Sequence, residues 1–126
     1  MAFTDYLENK LLAHTFSNTA YTSPSTVYVA LYTVAPTDST TGTEVTGGAY
    51  ARQSASFTTS GSATTNAGAI EYPTATAGYG TVVAVAVLDA ASSGNMLAFA
   101  SLDANKTIAT GDVFRIPVGD LDITLN

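Results

Sequence analysis

A chain of 126 residues has the length of one domain and is long enough to enclose a core. Only 11% of its residues are charged, against about a quarter in soluble domains generally, while 46% are hydrophobic, which excludes a disordered chain. Its net charge of −6, with Lys10, Arg52, Lys106 and Arg115 scattered, excludes a basic patch for nucleic acid, and the absence of cysteine excludes disulfides and thiolate metal sites.

The first sixteen residues, MAFTDYLENKLLAHTF, read as the one helix. Phe3, Leu7 and Leu11 recur every four residues, and Leu12 and Phe16 widen the apolar stripe. Asp5 and Glu8 have the spacing of a cap and suit the positive end of the helix dipole. The segment has no basic leader and no long apolar run, so neither a signal peptide nor a membrane span is expected. SNTAYTSPS then reads as a linker, and residues 17–126 read as a single β domain behind this helical docking or oligomerisation arm.

Eight strand-like runs follow. TVYVALYT (26–33) is β-branched and aromatic on both faces, which calls for cover on both sides. Residues 49–57 alternate as a strand with one wet face does, and 70–72 stops at Pro73 near a sheet edge. TVVAVAVL (81–88) is the most continuous apolar run and reads as a central strand. MLAFASL (96–102) follows a Ser-Ser-Gly-Asn turn and completes a hairpin. Residues 106–109, 113–118 and 121–125 are separated by Gly-Asp turns. Short strands at such regular spacing predict a mainly β fold, an antiparallel sandwich or small barrel of seven or eight strands with one N-terminal helix. The tracts at 37–48 and 58–69 are low in complexity.

Reactive chemistry is sparse. His14, the only histidine, sits beside Leu11, Leu12 and Phe16, where a helix-end role outweighs that of a base or ligand. No nucleophile elbow or phosphate loop is present. Asp120 and Asp122 share a strand face, with Asp112 and Asp103 nearby, a set that a hard cation could use. The turn preference of Asp explains these positions without a cation. No catalytic residue, cofactor or metal is therefore expected. Tyr28, Tyr32, Tyr50, Tyr72 and Tyr79 suit either sugar stacking or burial in an interface.

The stretch VALYTVAPTDSTTGTEVTGGAYARQ (29–53) resembles a pattern of small virion proteins of tailed bacteriophages, tail-fibre-like or head-associated. In that pattern an ALYT strand leads into a P-T-D loop and then E-V-x-G-G-x-Y-A-R-Q. The ending TGDVFRIPVGDLDITLN is similar to that group's. The resemblance implies a virion structural protein, assembled in the host cytoplasm, with no catalytic residues. With neither shaft nor trimerisation segment apparent, the expectation is a capsid decoration (cement) protein on the virion surface that binds the major capsid protein in many copies. The alternative is a tail-fibre or tail-tip protein that binds host glycan.

Low charge also points to self-assembly as a homo-oligomer. Phe3, Leu7, Leu11 and Phe16 are the expected helix contact. The long loop after Pro36, with Asp38 as one of its few charges, is the expected assembly loop. Glu44, Tyr50 and Arg52 stand at its end. Gly47 and Gly48 would supply its turn, and a Glu44–Arg52 ion pair would clamp it.

Overall fold

The computed structural model describes residues 1–125 and is mainly β. In chain order the elements are β1 (Ala2–Phe3), α1 (Asp5–Phe16), β2 (Val27–Val34), β3 (Thr43–Glu44), β4 (Gln53–Ala55), β5 (Phe57–Ser60), β6 (Ala63–Asn66), β7 (Ile70–Glu71), β8 (Gly80–Leu88), β9 (Met96–Ile108), β10 (Arg115–Ile116) and β11 (Asp122–Thr124). The two most apolar runs pair with each other, as their composition demands. β2 and β8 lie antiparallel with Val29 opposite Val87 and Leu31 opposite Val85. They form the centre of a sheet ordered β1-β9-β8-β2-β3, with β4 also on β2.

Because side chains alternate across a strand, this sheet buries two sets of residues. Val29, Leu31, Val82, Val85 and Val87 meet Ile70, Phe114, Ile116 and Leu121 in the main core. The latter come from the two-stranded sheet of β7 and β10 and from the connections to the β11-β6-β5 sheet, which together form the second layer of a sandwich. Ala30, Tyr32, Ala84, Ala86, Leu88 and Met96 fill the opposite face. Both faces of β2 are covered, as its sequence requires.

The helix starts at Asp5 rather than at Met1 because Ala2 and Phe3 pair with Phe99 and Ala98 of β9. Phe3 is therefore a strand residue, not part of the helical stripe. Thr4, not Asp5, is the N-cap: its hydroxyl accepts from Leu7 N and donates to Met96 O at 2.6 Å. Asp5 and Glu8 occupy the first turn, where their charge favours the dipole.

Three other runs depart from the pattern read in the sequence. Residues 49–57 do not form one strand, because Ala49 takes a positive φ of 69° and Tyr50 N closes a turn onto Gly47 O. Residues 96–102 and 106–109 join as one strand through a bulge that sets 102–105 against the single Val83. The tract at 58–69 forms the β5–β6 hairpin turning at Gly61, with Thr58 opposite Thr65 and Thr59 opposite Thr64.

Asn66 explains how the thin second layer holds. It is 1% exposed. Its side-chain amide donates to Gly68 O and Pro117 O, both at 2.9 Å, and its Oδ1 accepts from Leu121 N at 2.9 Å. Asn66→Ala strands a buried donor and two acceptors and should cost about 3 kcal/mol, read as a lower urea midpoint at unchanged slope. An unchanged midpoint would show that the layer is held by its apolar contacts alone.

Candidate functional site

β2 has a gap on its outer edge. β4 pairs with Val27–Val29 and β3 with Tyr32 and Val34, so the chain leaves the sheet between them. A buried backbone N–H without a partner is costly, and Leu31 N lies in that gap. The Tyr50 hydroxyl fills it, accepting from Leu31 N at 3.0 Å and donating to Glu44 Oε2 at 2.7 Å. Arg52 grips the same carboxylate with two nitrogens: Nε to Oε2 and Nη2 to Oε1, both at 2.9 Å. Its Nη1 donates to Ala90 O and Ser93 O at 2.9 and 2.8 Å.

The expected Glu44–Arg52 pair thus exists and does more than flank two glycines. Its side chains are only 10% and 23% exposed, so it is less screened than a surface pair. It ties the end of the long loop to the β8–β9 turn. That turn is itself closed by Asp89, which accepts from Asn95 N at 2.7 Å. A guanidinium fork is needed here, because a lysine ammonium cannot reproduce four directed bonds.

Burial alone would raise the Glu44 pKa, but the bonds from Arg52 and Tyr50 and the Arg52 charge outweigh it and hold the carboxyl below its ordinary 4.5. Burial raises Tyr32 to about 12, with Glu44 adding to the effect. Burial, with the Glu44 hydrogen bond, also pushes the Tyr50 hydroxyl far above its ordinary range. No titrating group is poised near neutrality in this network. It is built to stay fixed.

The long loop is similarly tethered. Pro36 is buried, and Thr37 and Thr40 bond each other through hydroxyls at 2.6 Å and through Thr37 N to Thr40 O at 3.0 Å. Asp38 is exposed, and its carbonyl accepts from Asp5 N at 3.1 Å, so the loop caps the helix start. Of the expected contact residues, Glu44, Tyr50 and Arg52 come together, whereas Pro36 and Asp38 lie along the loop. Leu7 and Leu11 are half-buried, and Leu7 packs on the main core. Phe16 is 80% exposed and Leu12 59%. The free apolar surface of the helix is thus Leu12 with Phe16.

His14 accepts from Tyr21 N through Nδ1 at 3.1 Å, securing the linker at the helix end. Asp112 closes its turn by accepting from Ala109 N at 2.9 Å. Asp103, Asp120 and Asp122 line one cleft of about 460 Å3 together with Lys106 and Arg115. Among the described residues no three His, Asp or Glu side chains are grouped to hold a metal ion, and no helix is long and apolar enough to cross a membrane. Tyr72 and Tyr79 are buried; the Tyr50 ring stacks on Tyr72 at 6.1 Å and meets Tyr79 edge-on at 5.8 Å. These rings are core material.

Two residues that matter here were not singled out by the sequence. Asn66 sits in a threonine-rich tract that offers no periodic apolar signal. Thr4 precedes the Asp5–Glu8 pair at the place where a cap is favoured, and that was its signal.

Fixed loops bonded to a rigid sandwich, with Tyr50, Tyr72 and Tyr79 committed to the core, define a structural domain that presents surface. More particularly, the chain belongs to the family described as Podophage GP4 fiber I protein gp80, whose model matches residues 2–124. It is therefore a bacteriophage virion structural protein. No curated protein matches it.

Arg52→Ala leaves a half-buried carboxylate without its cation and should destabilise by about 2–3 kcal/mol, with Arg52→Lys recovering only part of the loss. Because the folded pKa of Glu44 is depressed, its contribution is complete above 4.5 and is lost as pH falls through the folded value. Urea unfolding against pH should show this acid-side loss in the parent chain and a flatter limb in Glu44→Gln. Parallel limbs would show that other carboxylates drive the acid response.

Proposed function

We propose that the protein is a non-catalytic subunit of a tail fibre that meets host surface glycan. The observation that carries this reading is the family match over residues 2–124, whose description is that of a fibre protein. This supports a tail position over the capsid decoration expected from the missing shaft and trimerisation segment. A subunit attached to a fibre or baseplate need not contain the shaft itself. The tethered loop at 36–48 and the exposed Thr- and Ser-rich hairpin support a broad polar contact, because their hydroxyls offer many modest hydrogen bonds.

Self-association belongs to the same reading. Leu12 and Phe16 leave an apolar patch at the helix end, and coverage by a second copy would remove it from water. Phe16→Ser should shift sedimentation towards the monomer without lowering thermal stability. A monomeric parent chain at high concentration would remove this contact.

Gold-labelled antibody against the protein on intact virions tests the location. Label at the tail, in a copy number set by tail symmetry, is the expected result; even label over the head would return the reading to capsid decoration and the major capsid protein as partner. Purified protein should leave envelope polysaccharide uncleaved.

A further inference from the structure

Beside the clamp lies a cavity of about 230 Å3 that the clamp itself does not fill. Tyr32 lines it from β2: the residue is only 2% exposed, but its hydroxyl, which takes part in none of the described side-chain hydrogen bonds, keeps contact with solvent. A phenol hydroxyl at the wall of a cavity is free to bond a ligand. This one opens onto a cavity rimmed by Thr41 and Gly42 from the long loop and by Ser93 and Gly94 from the β8–β9 turn. We propose that this cavity is a binding site for one neutral sugar residue of a host surface glycan.

The donor and acceptor set selects that chemistry. Arg52 donates four hydrogen bonds to protein oxygens, leaving one of its five N–H groups free, so the site has little left to attract an anion. Glu44 Oε2 already accepts two bonds, but Oε1 accepts only one and keeps a lone pair for a hydroxyl donor. With the Glu44 charge balanced by Arg52, the cavity is electrically neutral yet rich in hydrogen-bonding groups. Tyr32 and Thr41 add hydroxyls that both donate and accept. Leu88 and Met96, both buried, supply an apolar wall. A sugar ring carries such a combination, with hydroxyls at its rim and an apolar C–H face. One carboxylate alone is too little for a divalent cation.

The rim is also pre-formed. Gly42 and Gly94 take positive φ of 62° and 76°, and a Cβ on Gly94 would come within 2.6 Å of Ala90 Cβ. With the clamp holding both loops, little ordering remains to oppose a weak ligand. The site rests on the fibre reading for its biological meaning, but its chemistry is testable on the purified protein.

The probes are the methyl glycosides of glucose, galactose and mannose, with methyl glucuronide as the anionic control. Amide chemical shifts are followed on titration of the full chain. At least one neutral glycoside should shift the Thr41, Gly42 and Gly94 amides, and Tyr32→Phe should weaken that binding about fivefold, the loss of one neutral hydrogen bond. Thr41→Val, on the exposed rim, reads the same effect should Tyr32→Phe lower the folded fraction. Shifts at none of these amides, stronger binding of the glucuronide, or equal affinity in both variants would overturn the site. Tail label without sugar binding removes the site and leaves the fibre reading; sugar binding with head label does the reverse.

Discussion

The hydrogen bond from Leu31 N to the Tyr50 hydroxyl is the constraint on which the rest of the architecture turns. Interrupting a strand's partner leaves a backbone group that must be satisfied or the central strand is compromised. Once a tyrosine side chain takes that place, the chain between β3 and β4 is released from sheet geometry. It then becomes a loop that reaches the β8–β9 turn through Arg52, while the preceding segment between β2 and β3 reaches the helix start through Asp38. Glu44 completes the relay by accepting from the same hydroxyl and holding the guanidinium. One backbone vacancy therefore accounts for why Glu44, Tyr50 and Arg52 occur together.

This arrangement clarifies what is legible in such a sequence. The β2 and β8 strands were, because runs like TVYVALYT and TVVAVAVL have one stable home, a covered sheet centre. The pairing of Glu44 with Arg52 was also legible as a possibility, since both charges stand out in a chain that has few. Tyr50 as a surrogate strand partner was not, because its role depends on where β3 and β4 end. The hairpin at β5–β6 escaped notice because its alternation is among threonine, serine and alanine, which carry almost no hydropathy contrast. The helix boundary failed for a different reason: Phe3 continues the helical spacing of Leu7 and Leu11, yet pairing with β9 satisfies more of its backbone. The cavity beside Tyr32 was illegible altogether, being made by three segments distant in the chain.

Many ties that each span the fold hold this domain together. Thr4 joins the helix to β9, Asn66 joins the second layer to its closing segment, and Tyr72 donates from that layer to Val29 O at 2.7 Å in the main sheet. Each links segments remote in sequence. Loss of any one would open a different part of the sandwich.

The bulge that sets residues 102–105 against Val83 has a consequence for crowding. Beyond Phe99, β9 lies at the rim of the main sheet, where β1 no longer covers it. A straight strand there would offer its free amides and carbonyls as a template for a neighbouring chain. With a kink and the exposed charges of Asp103 and Lys106, that rim cannot be matched in register by another copy. A protein with so little charge to keep its neighbours apart thus carries its insurance against fibrous stacking in backbone shape.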